Sequence, residues 1–175
     1  MIKEYLNDLK FLWLRPSEFF NRPRKESGEK DTSKFTVLTG VLVALELGLV
    51  EALGGGSIWI IALVTAVNVL FLPFAIMVWV YLWTAFMRFC AILLGETLPL
   101  EPVRQVVAYS AAGLVALGLG FGLGKWLLLA VVIFQILGIE KVLGCSRWMA
   151  SIYVGLPFAL VGVLGGLFAF MFKVF

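Results

Sequence analysis

Beyond Lys34 the chain carries only eleven charged side chains in 141 residues, and stretches such as Ile58–Thr84 carry none. With 62% of all residues hydrophobic, a soluble domain of this size has no core large enough to hide them. The apolar runs approach the roughly 20 residues that a membrane-crossing helix needs. The pattern therefore predicts an all-α, polytopic membrane helix bundle. The first 34 residues hold eight of the 14 basic and six of the 11 acidic side chains, which divides the chain into a polar lead, 1–34, and a membrane domain, 35–175.

Five spans are expected, at 35–53, 58–94, 103–120, 123–139 and 148–172. The second is too long: its 37 residues would make about 55 Å of helix against a hydrocarbon core of about 30 Å. It is either one span with an interfacial part or kink, or two spans broken at Pro73. Basic residues in short loops stay on the cytoplasmic side. Five spans with a cytoplasmic N-terminus place twelve Lys and Arg inside and only Lys125 and Lys173 outside, whereas six spans move Arg88, Arg104, Lys141 and Arg147 outward, giving ten against four. Five spans follow, with the C-terminus on the opposite side. Trp79, Tyr81 and Trp83 then form an inner aromatic belt, with Thr84–Leu94 along the surface, the opposite division with the surface piece at the outer end staying open. Lys10, Arg15 and Glu18 interrupt every apolar stretch before Phe35, so the first span is expected to be its own insertion signal.

In the lead, Ile2, Leu6, Leu9 and Trp13 fall on one face of a helix, with Lys3, Asn7 and Lys10 on another. This predicts an interfacial amphipathic helix leaning on the bilayer, or a docking site for a soluble partner. Arg15-Pro16-Ser17-Glu18 marks a stop and a new start, with Ser17 as candidate cap. The Arg22–Lys25 cluster is a weak lipid-binding signal, because Glu26, Glu29 and Asp31 follow at once.

Helices in lipid associate through small residues that let backbones approach. Gly40, Ala44, Gly48 and Ala52 form one such ladder, Ala108, Ala112, Ala116 and Gly120 another, and Gly162 and Gly166 repeat the theme. Beside the first ladder, Glu51 falls near the outer end, within reach of water or Lys125. Glu46 points away from it, about 16 Å along the helix from Phe35. A mid-membrane carboxylate must be protonated, hydrogen-bonded or wet. Thr65, Asn68 and Gln135 are assigned to the same depth. Two readings stay open: a neutral Glu46 in an interhelical hydrogen bond, or a protonatable site in a solute or ion path.

Catalysis is largely excluded by inventory. There is no histidine, and both aspartates, Asp8 and Asp31, lie in the lead, which removes Ser-His and Cys-His sites, His-based zinc sites and an intramembrane aspartate dyad. The Gly118–Trp126 stretch resembles a phosphate loop only superficially, lacking the required Gly at Leu119 and the Ser or Thr at Trp126; it is read as a turn. Cys90 and Cys145 are read as unpaired thiols. No catalytic, cofactor or metal site is expected, and no nucleic-acid partner.

Three segments carry a family resemblance: Leu14–Pro23 (LRPSEFFNRP), Glu101–Gly113 (EPVRQVVAYSAAG) and Gly138–Ser151 (GIEKVLGCSRWMAS). They resemble the Yip family, five-span membrane proteins named for interaction with Ypt and Rab GTPases. Tyr109 and Ser110 match its Ala-Tyr-Ser element, and Gly138, Gly144 and Ala150 match the element before its last span. The Arg is displaced to Arg104, no Pro follows Ser110, and Leu143 stands where His is frequent. The resemblance implies a prokaryote-type member in a plasma membrane, without the long cytosolic region of the eukaryotic members, so GTPase binding is unsupported. The expected function is a non-catalytic scaffold or adaptor organising membrane-protein partners or lipids through the lead and the loops at Gly95–Glu101 and Glu140–Arg147. The alternative is a small oligomeric transporter or channel lined by Glu46, Asn68 and Gln135.

Overall fold

The computed structural model of the protein describes residues 2–21, 29–115 and 124–174. Every regular element among them is helical: α1 (Ile2–Leu14), α2 (Pro16–Asn21), α3 (Glu29–Leu53), α4 (Ile58–Leu93), α5 (Leu100–Ser110) continued by a 3-10 turn (Ala111–Leu114), α6 (Gly124–Leu143) and α7 (Arg147–Val174). Three stretches are long and apolar enough to cross a membrane: Asp31–Leu53, Ile58–Leu93 and Arg147–Gly165. The protein is accordingly an integral membrane protein. The Arg22–Lys25 cluster, the end of the expected third span with Ala116 and Gly120, and most of the Gly118–Trp126 turn lie outside the described residues.

α3 begins at Glu29, six residues before the apolar run, so its first two turns come from the polar lead. Within them Lys34 pairs with Asp31 at 3.3 Å one turn apart. α3 ends in a Schellman turn: the Gly56 N–H donates to Glu51 C=O at 3.1 Å, and Gly55 takes φ +82°, a conformation costly for any residue with a Cβ. Ser57 then caps α4 by accepting from the Ile60 N–H at 3.4 Å.

α4 is one uninterrupted helix of 36 residues running through Pro73. The helix does not break at Pro73 and continues through Thr84 to Leu93. Proline removes one backbone donor and crowds the preceding turn, and here α3 comes closest at that point: a Cβ added to Gly40 would stand 2.5 Å from Pro73 Cα. Two turns on, Gly48 faces Thr65, whose hydroxyl occupies the space a Cβ would need. The first small-residue ladder therefore packs on α4. Its buried members are Gly40, Ala44 and Gly48, while Ala52 is exposed.

α5 and its 3-10 extension are the most enclosed part of the chain, with Val103, Val106, Val107, Ala108, Ala111 and Ala112 fully buried. They pair antiparallel with α6, Gly138 against Val106 and Gly113 against Val131. Gly162 of α7, by contrast, meets no described residue closely.

The lead is part of this core. α1 buries Tyr5, Leu9 and Leu12 in the protein, whereas Ile2, Leu6 and Trp13 of the face expected to lean on the bilayer stay exposed. The apolar arc is wider than one environment needs: one part faces protein and the adjoining part faces outward. Pro16 opens α2, the position where its missing N–H is harmless, so Ser17 lies inside the helix and is not its cap.

Candidate functional site

The chain alternates direction from α3 to α7, which brings the lead, the 94–99 connection and the 144–146 connection to one end of the bundle. An aromatic cluster ties that end together. Tyr109 of α5 packs its ring 4.6 Å from Phe35 of α3 and 5.3 Å from Phe19 of α2. Phe35 in turn meets Tyr5 of α1 at 5.0 Å, and Phe19 meets Phe20 edge-on at 5.4 Å. Centroid separations in this range add about 0.5–1.5 kcal/mol per pair beyond burial.

A hydrogen bond extends the cluster. The Tyr5 hydroxyl lies 3.2 Å from Thr39 Oγ1; the single Thr39 hydroxyl proton is given to Phe35 C=O at 2.9 Å, which makes Tyr5 the donor. Burial above all holds the Tyr5 hydroxyl above its ordinary value. The hydroxyl therefore keeps its proton. Thr32, Thr36, Thr39 and Glu46, all buried, follow at spacings of four, three and seven residues and so share one face of α3. Thr36 bonds Thr32 C=O at 2.9 Å, so much of this stripe is satisfied within its own helix.

The residues assigned to one mid-membrane cluster do not share one layer. The Gly40–Pro73 and Gly48–Thr65 contacts set Glu46 opposite Val67, between half-buried Thr65 and half-buried Asn68. Gln135 belongs elsewhere. The Val106–Gly138 and Gly113–Val131 contacts set Gln135 opposite Tyr109, whose ring lies on Phe35. Phe35 is eleven positions, about 16 Å of helix, from Glu46. Fully buried Gln135 accepts from Trp83 Nε1 at 3.2 Å, and its Nε2 has no partner among the described residues. The sequence estimate of depth failed because it measured each helix from its own apolar boundary. Glu51, at the α3 turn, is half-buried.

Each position of the family-like motifs has a packing role. Tyr109 is the hub of the aromatic cluster. Ser110 donates to Val107 C=O at 2.7 Å, where α5 tightens into its 3-10 turn. Gly138 admits the Val106 side chain; a Cβ there would come within 2.5 Å of it. Gly144 turns the chain with φ +63°, and Ala150 is fully buried.

Charge on this end is latched to the connections. Arg88 Nε donates to Leu98 C=O at 2.9 Å. The Arg104 side chain is buried, pairs with Glu101 at 2.6 Å, and lies 5.2 Å from the centre of the Tyr81 ring. Arg147 and Lys141 both hold Glu140, at 2.8 and 3.2 Å, and keep its carboxyl below the ordinary 4.5, Arg147 first. Tyr81 and Trp83 thus serve Arg104 and Gln135 as well as any aromatic belt. Cys90 and Cys145 are free thiols.

Sequence reasoning missed Tyr5, Thr39 and the burial of Arg104. The recurrence of Thr32, Thr36, Thr39 and Glu46 at helical spacing was the available signal for the α3 stripe. Comparison of the chain with protein-family models, with curated proteins and with solved structures finds no match.

Proposed function

We propose that the protein is a five-span, Yip-type scaffold that works from one end of the membrane, organising partner proteins or lipids without catalysing a reaction. The observation that carries this reading is the joining of lead and bundle through Tyr109, Phe19, Phe35 and Tyr5. It fixes α1 and α2 to α3 and α5 at the end of the bundle that carries the two latched connections. Arg88, Arg104, Lys141 and Arg147 all belong to that end, which supports a cytoplasmic assignment by the positive-inside rule. Affinity purification of the tagged full chain from its native membrane should recover a defined protein or an enriched lipid. Recovery of neither contradicts the scaffold reading.

A second reading, a small transporter or channel, is favoured by one observation. Glu46, a carboxyl group within an apolar helix, is buried and shares the α3 face of Thr39. On that reading Glu46→Gln abolishes proton-coupled or cation flux in proteoliposomes. Wild-type protein that passes nothing under any gradient removes it.

A further inference from the structure

α1 faces two environments at once. Taking Ile2 as the origin, with about 100° per residue, Leu9, Tyr5 and Leu12 lie at about −20° to −80° and Trp13 and Leu6 at about 20° to 40°. Lys10 and Lys3 follow at about 80° to 100°. The first group is buried; Ile2 is 63% and Leu6 48% exposed, and both lysines are exposed. Protein-facing, outward apolar and basic strips thus succeed one another around the helix. Asp8 falls beyond the protein-facing strip, away from the lysines. Neither lysine forms an ion pair with a described residue.

The position of α1 gives that order a meaning. Its Tyr5 end is fixed to Thr39 of α3, and its Trp13 end meets Phe134 of α6 edge-on, with ring centres 5.3 Å apart. The helix therefore bridges α3 to α6. Both anchors lie inside apolar runs, Thr39 about 6 Å beyond Phe35. Anchors set inside apolar runs suit an amphipathic helix, which buries its apolar side about 5–10 Å into the headgroup–acyl boundary. Long lysine stems at this level reach back to the phosphates. We propose that α1 is an in-plane helix whose Ile2-Leu6-Trp13 edge lies against acyl chains while Lys3 and Lys10 bind the headgroup of an acidic phospholipid.

This deepens the scaffold reading and rests on it for the leaflet concerned, though its test does not. The full chain is placed in nanodiscs of phosphatidylcholine containing, at equal mole fraction, either brominated phosphatidylglycerol or brominated phosphatidylcholine. The Trp13 signal is isolated by subtracting a Trp13→Phe variant. Trp13 should be quenched by both lipids and more strongly by the acidic one, a preference worth about fivefold in affinity per lysine and weakened by salt. Lys3→Gln with Lys10→Gln should remove the preference and keep the quenching; Lys3→Arg with Lys10→Arg, and separately Asp8→Asn, should retain it. Absence of quenching by either lipid, equal quenching by both in the wild type, or a preference surviving the double Gln variant overturns the proposal. Because purified protein in symmetric discs is used, failure here leaves the scaffold reading to the purification experiment, and an empty purification leaves this result standing.

Discussion

The end of the bundle that carries the lead and the end that carries the α3–α4 turn hold their helices in different ways. At the lead end, α1, α2 and α5 fill the space among the longer helices, and the side chains of Phe19, Leu12, Met87, Val103 and Ile139 are fully buried. Toward the other end, among the described residues, α4 meets α3 where Thr65 packs on Gly48, and Trp59, Leu63 and Leu70 are largely exposed. Lipid explains the contrast. An apolar side chain gains little by leaving acyl chains for another helix, so the Gly48–Thr65 seam suffices to hold α3 and α4 together there. The lead end contains hydroxyls, an amide, an arginine and the 94–99 and 144–146 connections, and those require protein partners.

That contrast can be broken most directly by removing aromatic volume. Phe19→Ala should destabilise the protein by about 3–5 kcal/mol in reversible denaturation from mixed micelles. Phe71→Ala, in the exposed half of α4, should stay within about 0.5 kcal/mol. Similar losses at both sites would remove the distinction between the two ends.

Adding volume sharpens it. Gly40→Val forces atoms into the Pro73 backbone and should cost about 1–3 kcal/mol or more, while Gly162→Val, at a position that meets no described residue closely, should change nothing by the same assay. Should Gly162→Val instead alter the oligomeric state in native mass spectrometry, that surface meets another chain.

These effects were unequally legible beforehand. The helical class and the long apolar segments followed from the charge distribution alone, because hydrocarbon tolerates little else. The ladder Gly40-Ala44-Gly48 announced close approach but not its partner, since small residues say how near a backbone comes and not which one. The role of α1 was half visible. Ile2, Leu6, Leu9 and Trp13 do form an apolar strip, yet Tyr5 and Leu12 widen it into a second face, and only the positions of Thr39 and Phe35 reveal what that face covers. Gln135 was misplaced because depth depends on how neighbouring helices are staggered, which no single helix records.

Smaller effects probe the polar contacts. Tyr5→Phe removes the bond to Thr39 and should cost about 0.6 kcal/mol, the average for hydrogen bonds between membrane helices, because Thr39 stays bonded to Phe35 C=O. The α6–α7 connection should respond to acid. Glu140 is held below its ordinary value of 4.5 by Arg147 and Lys141, so its contribution is present above that value and is lost as pH falls through the lowered one. Limited proteolysis of the Gly144–Ser146 connection should accelerate in that acidic window, and Glu140→Gln should make cleavage insensitive to pH there.

Hydrogen–deuterium exchange of the full chain in nanodiscs tests the central claim, that the lead is an integral part of the bundle. With the helix fixed through Tyr5, Leu9 and Leu12, the amides of α1 should exchange nearly as slowly as those of α5, and Phe19→Ala should release them together. Exchange of α1 as fast as that of an unattached surface helix, unchanged by Phe19→Ala, would contradict the account.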